Sequence, residues 1–174
     1  YFNIGAILKA TGDFDAAIAS YNEALKINPG LAEAHSNIAN AFREMGDLES
    51  AVASYKEALK IKPNYADAHN NLGAVFKLKG QLDAAVGSYE MAISIAPQFT
   101  EAYINLGLCL YEQGDLDGAL DYYDKGIKIN PYYRDAFNSR GMALMQKGDF
   151  DAAIGSYRKA IEIDGNYGAA YNNL

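Results

Sequence analysis

Apolar residues recur at helical spacing in paired stretches along the chain. Leu72, Val75 and Phe76 mark one stretch and Val86, Tyr89 and Ile93 the next, each consistent with one buried helix face. Short polar turns such as KGQLD and MGDLE separate the stretches, with Gly12, Gly46, Gly80, Gly114 and Gly148 at one place. A glycine there accepts the left-handed conformation that ends a helix. The acids that follow, such as Asp13/Asp15 and Asp149/Asp151, cap the next helix and suit its positive end. The pattern predicts two antiparallel helices per segment, A then B.

The segments share one length. Sliding the sequence against itself by 34 residues aligns it throughout, so "AEAHSNIANAFR" at 32–43 meets "ADAHNNLGAVFK" at 66–77. The segments are 1–31 (truncated at its start), 32–65, 66–99, 100–133 and 134–167, with 168–174 opening another. Numbering a full segment 1 to 34 turns equivalent residues into rows. Position 8 is Gly5, Ala39, Gly73, Gly107 and Gly141; position 20 is Ala17, Ala51, Ala85, Ala119 and Ala153. Position 24 is always tyrosine: Tyr21, Tyr55, Tyr89, Tyr123 and Tyr157. Position 27 is Ala24, Ala58, Ala92, Gly126 and Ala160, and position 32 is Pro29, Pro63, Pro97, Pro131 and then Gly165. Small residues at 8, 20 and 27 let helices approach, the tyrosine fills the space they leave, and proline stops helix B. One helix pair has too little core of its own, so stability must come from stacking on its neighbours.

These rows resemble the tetratricopeptide repeat (TPR) family along essentially the whole chain. Departures are few: His, Tyr or Phe takes the usual Trp slot, and Arg140 replaces an apolar residue at position 7. The resemblance implies an all-α fold, a right-handed α-solenoid of antiparallel helix pairs in one array over 1–174, with A helices on the concave side. It also implies a protein–protein interaction scaffold rather than an enzyme.

Composition narrows the function. Half the residues are hydrophobic and the net charge is −7, against the basic face a nucleic-acid partner requires. No apolar run reaches membrane-spanning length. Cys109 stands alone, which excludes an internal disulfide and suits a cytoplasmic or other reducing compartment. No phosphate loop, nucleophile motif or Cys/His cluster is present, so no cofactor is expected. The D-x-D turns lack the remaining ligands of a calcium loop. His35 and His69 share position 4 with Tyr1, Tyr103, Phe137 and Tyr171 and read as packing aromatics. Packed helices place equivalent residues roughly 10 Å apart, too far for two ligands on one zinc.

Position 6 carries the candidate chemistry. It holds Asn3, Asn37, Asn71 and Asn105, then Ser139 and Asn173. The TPR resemblance implies that this row faces the groove, where an amide, donor and acceptor at once, pairs with an extended peptide backbone. Such a ladder, with "YINLG" and "HSNIAN", resembles the repeats of O-linked N-acetylglucosamine transferases and SPINDLY-type enzymes. The alternative function is therefore the substrate-recognition region of such an enzyme, its catalytic domain lying outside this chain.

Other rows expected in the groove are positions 5 (Phe2, Ser36, Asn70, Ile104, Asn138), 9 (Ala6, Asn40, Ala74, Leu108, Met142) and 12 (Lys9, Arg43, Lys77, Tyr111, Met145). They predict a polar, basic groove near the N-terminus and an apolar one around Leu108, Tyr111, Met142 and Met145. Position 2 is acidic: Glu33, Asp67, Glu101 and Asp135. Those acids, and the absence of lysine at position 5, argue against the clamp with which some TPR proteins hold chaperone tails. Asp115, Asp117, Asp121 and Asp124 concentrate charge on one B helix, a pattern usual for a solvated face. Neither end carries a polar capping helix, so end-to-end self-association through the terminal repeats is a further expectation.

Overall fold

The computed structural model describes all 174 residues. Every regular element is an α-helix: α1 (Phe2–Ala10), α2 (Phe14–Ile27), α3 (Ala32–Glu44), α4 (Leu48–Ile61), α5 (Ala66–Leu78), α6 (Leu82–Ile95), α7 (Thr100–Gln113), α8 (Leu116–Ile129), α9 (Arg134–Lys147), α10 (Phe150–Ile163) and α11 (Gly168–Asn173). None is long and apolar enough to cross a membrane. The helices gather into two compact units, Tyr1–Ile95 and Ala96–Leu174.

In the first unit α1/α2, α3/α4 and α5/α6 form the pairs, and in the second α7/α8 and α9/α10 do, with α11 packed on α10 and α9. Within each unit neighbouring A helices touch, as α1–α3, α3–α5, α7–α9 and α9–α11 do. Within each unit consecutive B helices do not come within 8 Å Cα to Cα. The A helices therefore close ranks on the inner side of each unit, as expected.

Local chemistry sets the boundaries. The five turn glycines adopt φ between 71° and 85°, the left-handed region that a side chain resists. Asp13, Asp47, Asp115 and Asp149 each accept a hydrogen bond from the backbone N–H three residues on, satisfying a donor that the helix leaves unpaired. Lys79 reaches back to Glu49 at 2.5 Å, and Lys147 likewise pairs with Asp117. These bridges join the first turn of one repeat's helix B to the end of the next repeat's helix A.

The acids involved make stability pH-dependent. Accepting hydrogen bonds from Ser50 holds the Asp47 carboxyl below its ordinary value, and Lys62 and Lys79 do the same for Glu33 and Glu49. A depressed folded value contributes stability that is present above the unfolded value and is lost as pH falls through the folded one. The melting temperature is expected to fall as pH drops below about 4, and less steeply in Asp47→Asn/Glu49→Gln. Helical circular dichroism across pH checks this; identical acid limbs for parent and variant would contradict it.

The core repeats one motif. In four repeats the position-24 ring covers a glycine, where an added Cβ would fall 2.4–2.8 Å from the ring: Gly5/Tyr21, Gly73/Tyr89, Gly107/Tyr123 and Gly141/Tyr157. Those rings are almost wholly buried, as are the position-20 alanines. Arg140, the unexpected charge at position 7, donates through Nε to Asp124 at 2.7 Å and through Nη1 to buried Ser156 at 2.8 Å. It thus ties α9 to both flanking B helices.

Position 9 separates the hydroxyl of Tyr55 from those of Tyr21 and Tyr123. Tyr55 donates to Asn40 Oδ1 at 2.6 Å. Tyr21 and Tyr123, whose repeats carry Ala6 and Leu108 at that position, bury their hydroxyls without a partner. Tyr55→Phe is expected to cost about 1 kcal/mol, whereas Tyr123→Phe removes a buried orphan and stabilises by a similar amount. Urea unfolding of both variants reads the opposite signs; equal signs would refute the pairing.

Candidate functional site

Two pockets open on the inner faces, one in each unit, and they are built from the same repeat positions. The first, of about 430 Å³, is lined by Lys9, Phe14, Asn40, Arg43, Glu44 and Asn71. The second, of about 550 Å³, is lined by Tyr111, Met142, Met145, Gln146, Tyr157, Asn172 and Asn173. Position 12 of one repeat, positions 9, 12 and 13 of the next, and position 6 of the one after recur in both. Helix geometry explains the recurrence: 6, 9, 12 and 13 lie within two turns on one face of helix A.

The two pockets have opposite chemistry. Lys9, Arg43, Asn40 and Asn71 make the first polar and cationic, while Tyr111, Met142 and Met145 make the second apolar and pliable. The sequence pattern anticipated this contrast. It missed position 13, Glu44 and Gln146, which follows from the pairing of 9 with 13 one helical turn apart.

The predicted site residues divide by environment. Asn40 and Asn71 line the first pocket, and Tyr111 and Met142 the second. Asn37 stands beside the first, its Oδ1 accepting from Lys9 Nζ at 2.8 Å. Asn3 is exposed on α1, and Asn105 is half-buried on α7. Leu108 is half-buried and packs against the core of Ile104, Ala119, Tyr123, Ala136 and Ala143. Ser139 keeps only 7% exposure. Asn173 donates through Nδ2 to Asn138 Oδ1 at 3.0 Å.

Position 5 departs from expectation. Ser36, Asn70, Ile104 and Asn138 are all buried rather than groove-facing. A step of one residue rotates the side chain by about 100° around the helix, carrying position 5 from the open face into the contact between helices. Asn138 is accordingly satisfied by Asn173 and by the Met142 sulfur, at 3.7 Å.

One of the two histidines, His69, proves to be a donor to a turn. His69 Nε2 donates to the Pro63 carbonyl at 2.9 Å, and Tyr103 OH, at the same position two segments of the pattern apart from His35, donates to the Pro97 carbonyl at 3.3 Å. His35 is half-buried, and burial lowers its pKa. Cys109 is fully buried in the core. The aspartates of α8 and its turn are each engaged within their unit: Asp115 caps α8, Asp117 meets Lys147, Asp121 meets Lys125 and Asp124 meets Arg140.

Helix pairs of recurring length, glycine turns and a small–large–small core define a helical-repeat scaffold with an inner face built for contact. The chain belongs to the tetratricopeptide repeat family: the family model described as "TPR repeat" matches residues 5–42 and 39–80, and that described as "Tetratricopeptide repeat" matches 66–99, 100–133 and 135–167. Among solved structures it is similar to MamA, at 30% identity over 97% of this chain and 98% of that one, with a TM-score of 0.84. It is also similar to YrrB, a TPR protein with an unusual peptide-binding site, at 26% identity over 99% and 89% of the two chains and a TM-score of 0.78. PilF of Pseudomonas aeruginosa shares the fold, at 20% identity, 99% and 79% coverage and a TM-score of 0.89. Comparison with curated protein sequences finds no match. The fold is thus an all-α solenoid of antiparallel helix pairs, and it serves protein–protein interaction.

Proposed function

We propose that the inner, helix-A face holds an extended peptide, and that the amides of position 6 contact the peptide's backbone. The observation that carries this reading is the recurrence of one pocket architecture, positions 12, 9/12/13 and 6, in both units. A side-chain pocket at a fixed place beside the position-6 amides suits a chain that passes along the A helices of a unit. The first pocket accepts a polar side chain and the second an apolar one. The peptide-binding description of YrrB, a relative by fold and sequence, supports the reading.

A peptide array probed with the parent chain and with Asn37→Ala/Asn71→Ala/Asn105→Ala tests it. Captured peptides are expected to lose about tenfold or more in affinity, since several hydrogen bonds of about 1 kcal/mol each disappear. Unchanged affinity for every captured peptide removes the amides from the mechanism. The alternative, a substrate-recognition region of an N-acetylglucosamine transferase, gains no support from the relatives named above.

A further inference from the structure

Two amides at the first pocket, Asn37 and Asn40, already have their carbonyl oxygens engaged. Asn37 Oδ1 accepts from Lys9 Nζ at 2.8 Å, and Asn40 Oδ1 accepts from Tyr55 OH at 2.6 Å. A carboxamide whose oxygen is engaged presents its N–H2 donors. Lys9 and Arg43, which line the pocket with Asn40, have donors and no acceptor at all. Glu44 is the one anion in the lining, and Arg43 holds its Oε1 through Nε at 3.3 Å and Nη2 at 2.8 Å. That pair joins adjacent residues with half of the Glu44 side chain in solvent, so it is weak and exchangeable.

We infer that this pocket takes the carboxylate side chain of an Asp or Glu in an extended acidic peptide. Arg43 and Lys9 meet the charge and Asn40 Nδ2 donates to it. The inference rests on the peptide-groove reading above and narrows it to a sequence class. Ionised partners make hydrogen bonds about twice as strong as neutral ones, so the donor-rich wall discriminates in favour of an anion. Residues 1–95 carry eight Lys/Arg against eleven Asp/Glu, so no long-range field draws the peptide in. Selection comes from local hydrogen bonding.

The test uses the full chain and fluorescence anisotropy. The probes are labelled Ala-rich peptides with blocked termini and a central Glu-Ala-Glu, Gln-Ala-Gln or Lys-Ala-Lys. The Glu peptide is expected to bind about tenfold more tightly than the Gln peptide, and the Lys peptide more weakly than either. Lys9→Gln/Arg43→Gln is expected to abolish the Glu preference, so that the Glu and Gln peptides bind the variant with equal affinity, with circular dichroism confirming the fold. Equal binding of Glu and Gln peptides by the parent overturns this inference and leaves the groove reading standing. A Glu preference that survives the double substitution overturns it by placing the reader elsewhere. Stronger binding of a Gln peptide with a free C-terminal carboxylate than of the blocked Glu peptide overturns it in favour of a chain end. Binding of none of these peptides removes both readings.

Discussion

Tyr123→Ala is expected to destabilise the second unit by about 3–5 kcal/mol. The ring is fully buried among Ile104, Ala119, Ala136 and Ala143 and lies against Gly107. Gly107, Ala119, Ala136 and Ala143 cannot fill the vacated volume, and only the larger side chains at the edge of the cluster, such as Leu108, Leu120 and Ile127, can close part of it. The cost should therefore lie within the usual range for aromatic truncations. Solenoid repeats depend on adjacent interfaces, so the same change is expected to loosen α7 and α9 as well as α8. Urea unfolding followed by circular dichroism gives the loss, and amide exchange gives its spread. A loss under about 1 kcal/mol would mean that the repeat can collapse around the gap, contradicting the packing described.

Gly107→Val is expected to cost about 3 kcal/mol, near the top of the usual range for overpacking. An added Cβ would lie 2.6 Å from Tyr123 Cε1 and 3.2 Å from the Ala119 backbone oxygen. The ring can tilt, but the carbonyl is fixed within α8. At Gly73 the three nearest atoms all belong to the Tyr89 ring, so Gly73→Val should be the milder of the two. Alanine is a different case. Ala39 already occupies this position opposite fully buried Tyr55, and alanine regains up to about 1 kcal/mol of helix propensity over glycine. Gly107→Ala brings the same Cβ without the two further methyls, and should cost less than Gly107→Val. Chemical denaturation of the three variants ranks them; a harmless Gly107→Val would show that the α7–α8 contact is looser than drawn.

Much of this was legible in the sequence because the physics repeats with it. A row of glycines at one place in every turn has a single economical explanation, and each adopts positive φ. Tyrosine at position 24 opposite glycine or alanine at position 8 announced a tight crossing of A and B. The contrast between Lys9/Arg43 and Tyr111/Met145 at position 12 announced two unlike pockets. Position 5 misled because a groove row and a buried row differ by one step around a helix, and polar residues such as Asn70 and Asn138 disguise burial. The state of each amide was not legible at all. Whether Asn40 offers an oxygen depends on Tyr55, fifteen residues away in another helix. Arg140 looked like a lapse in the apolar pattern until Asp124 and Ser156 were seen to receive it.

Helices here touch only those one or two places away along the chain, and this has a kinetic consequence. No loop longer than about a repeat has to close before contacts begin to reward it, so the entropic barrier to folding stays low. Assembly is expected to start at any pair and spread by accretion, on a timescale closer to that of helical bundles than of β-sandwiches.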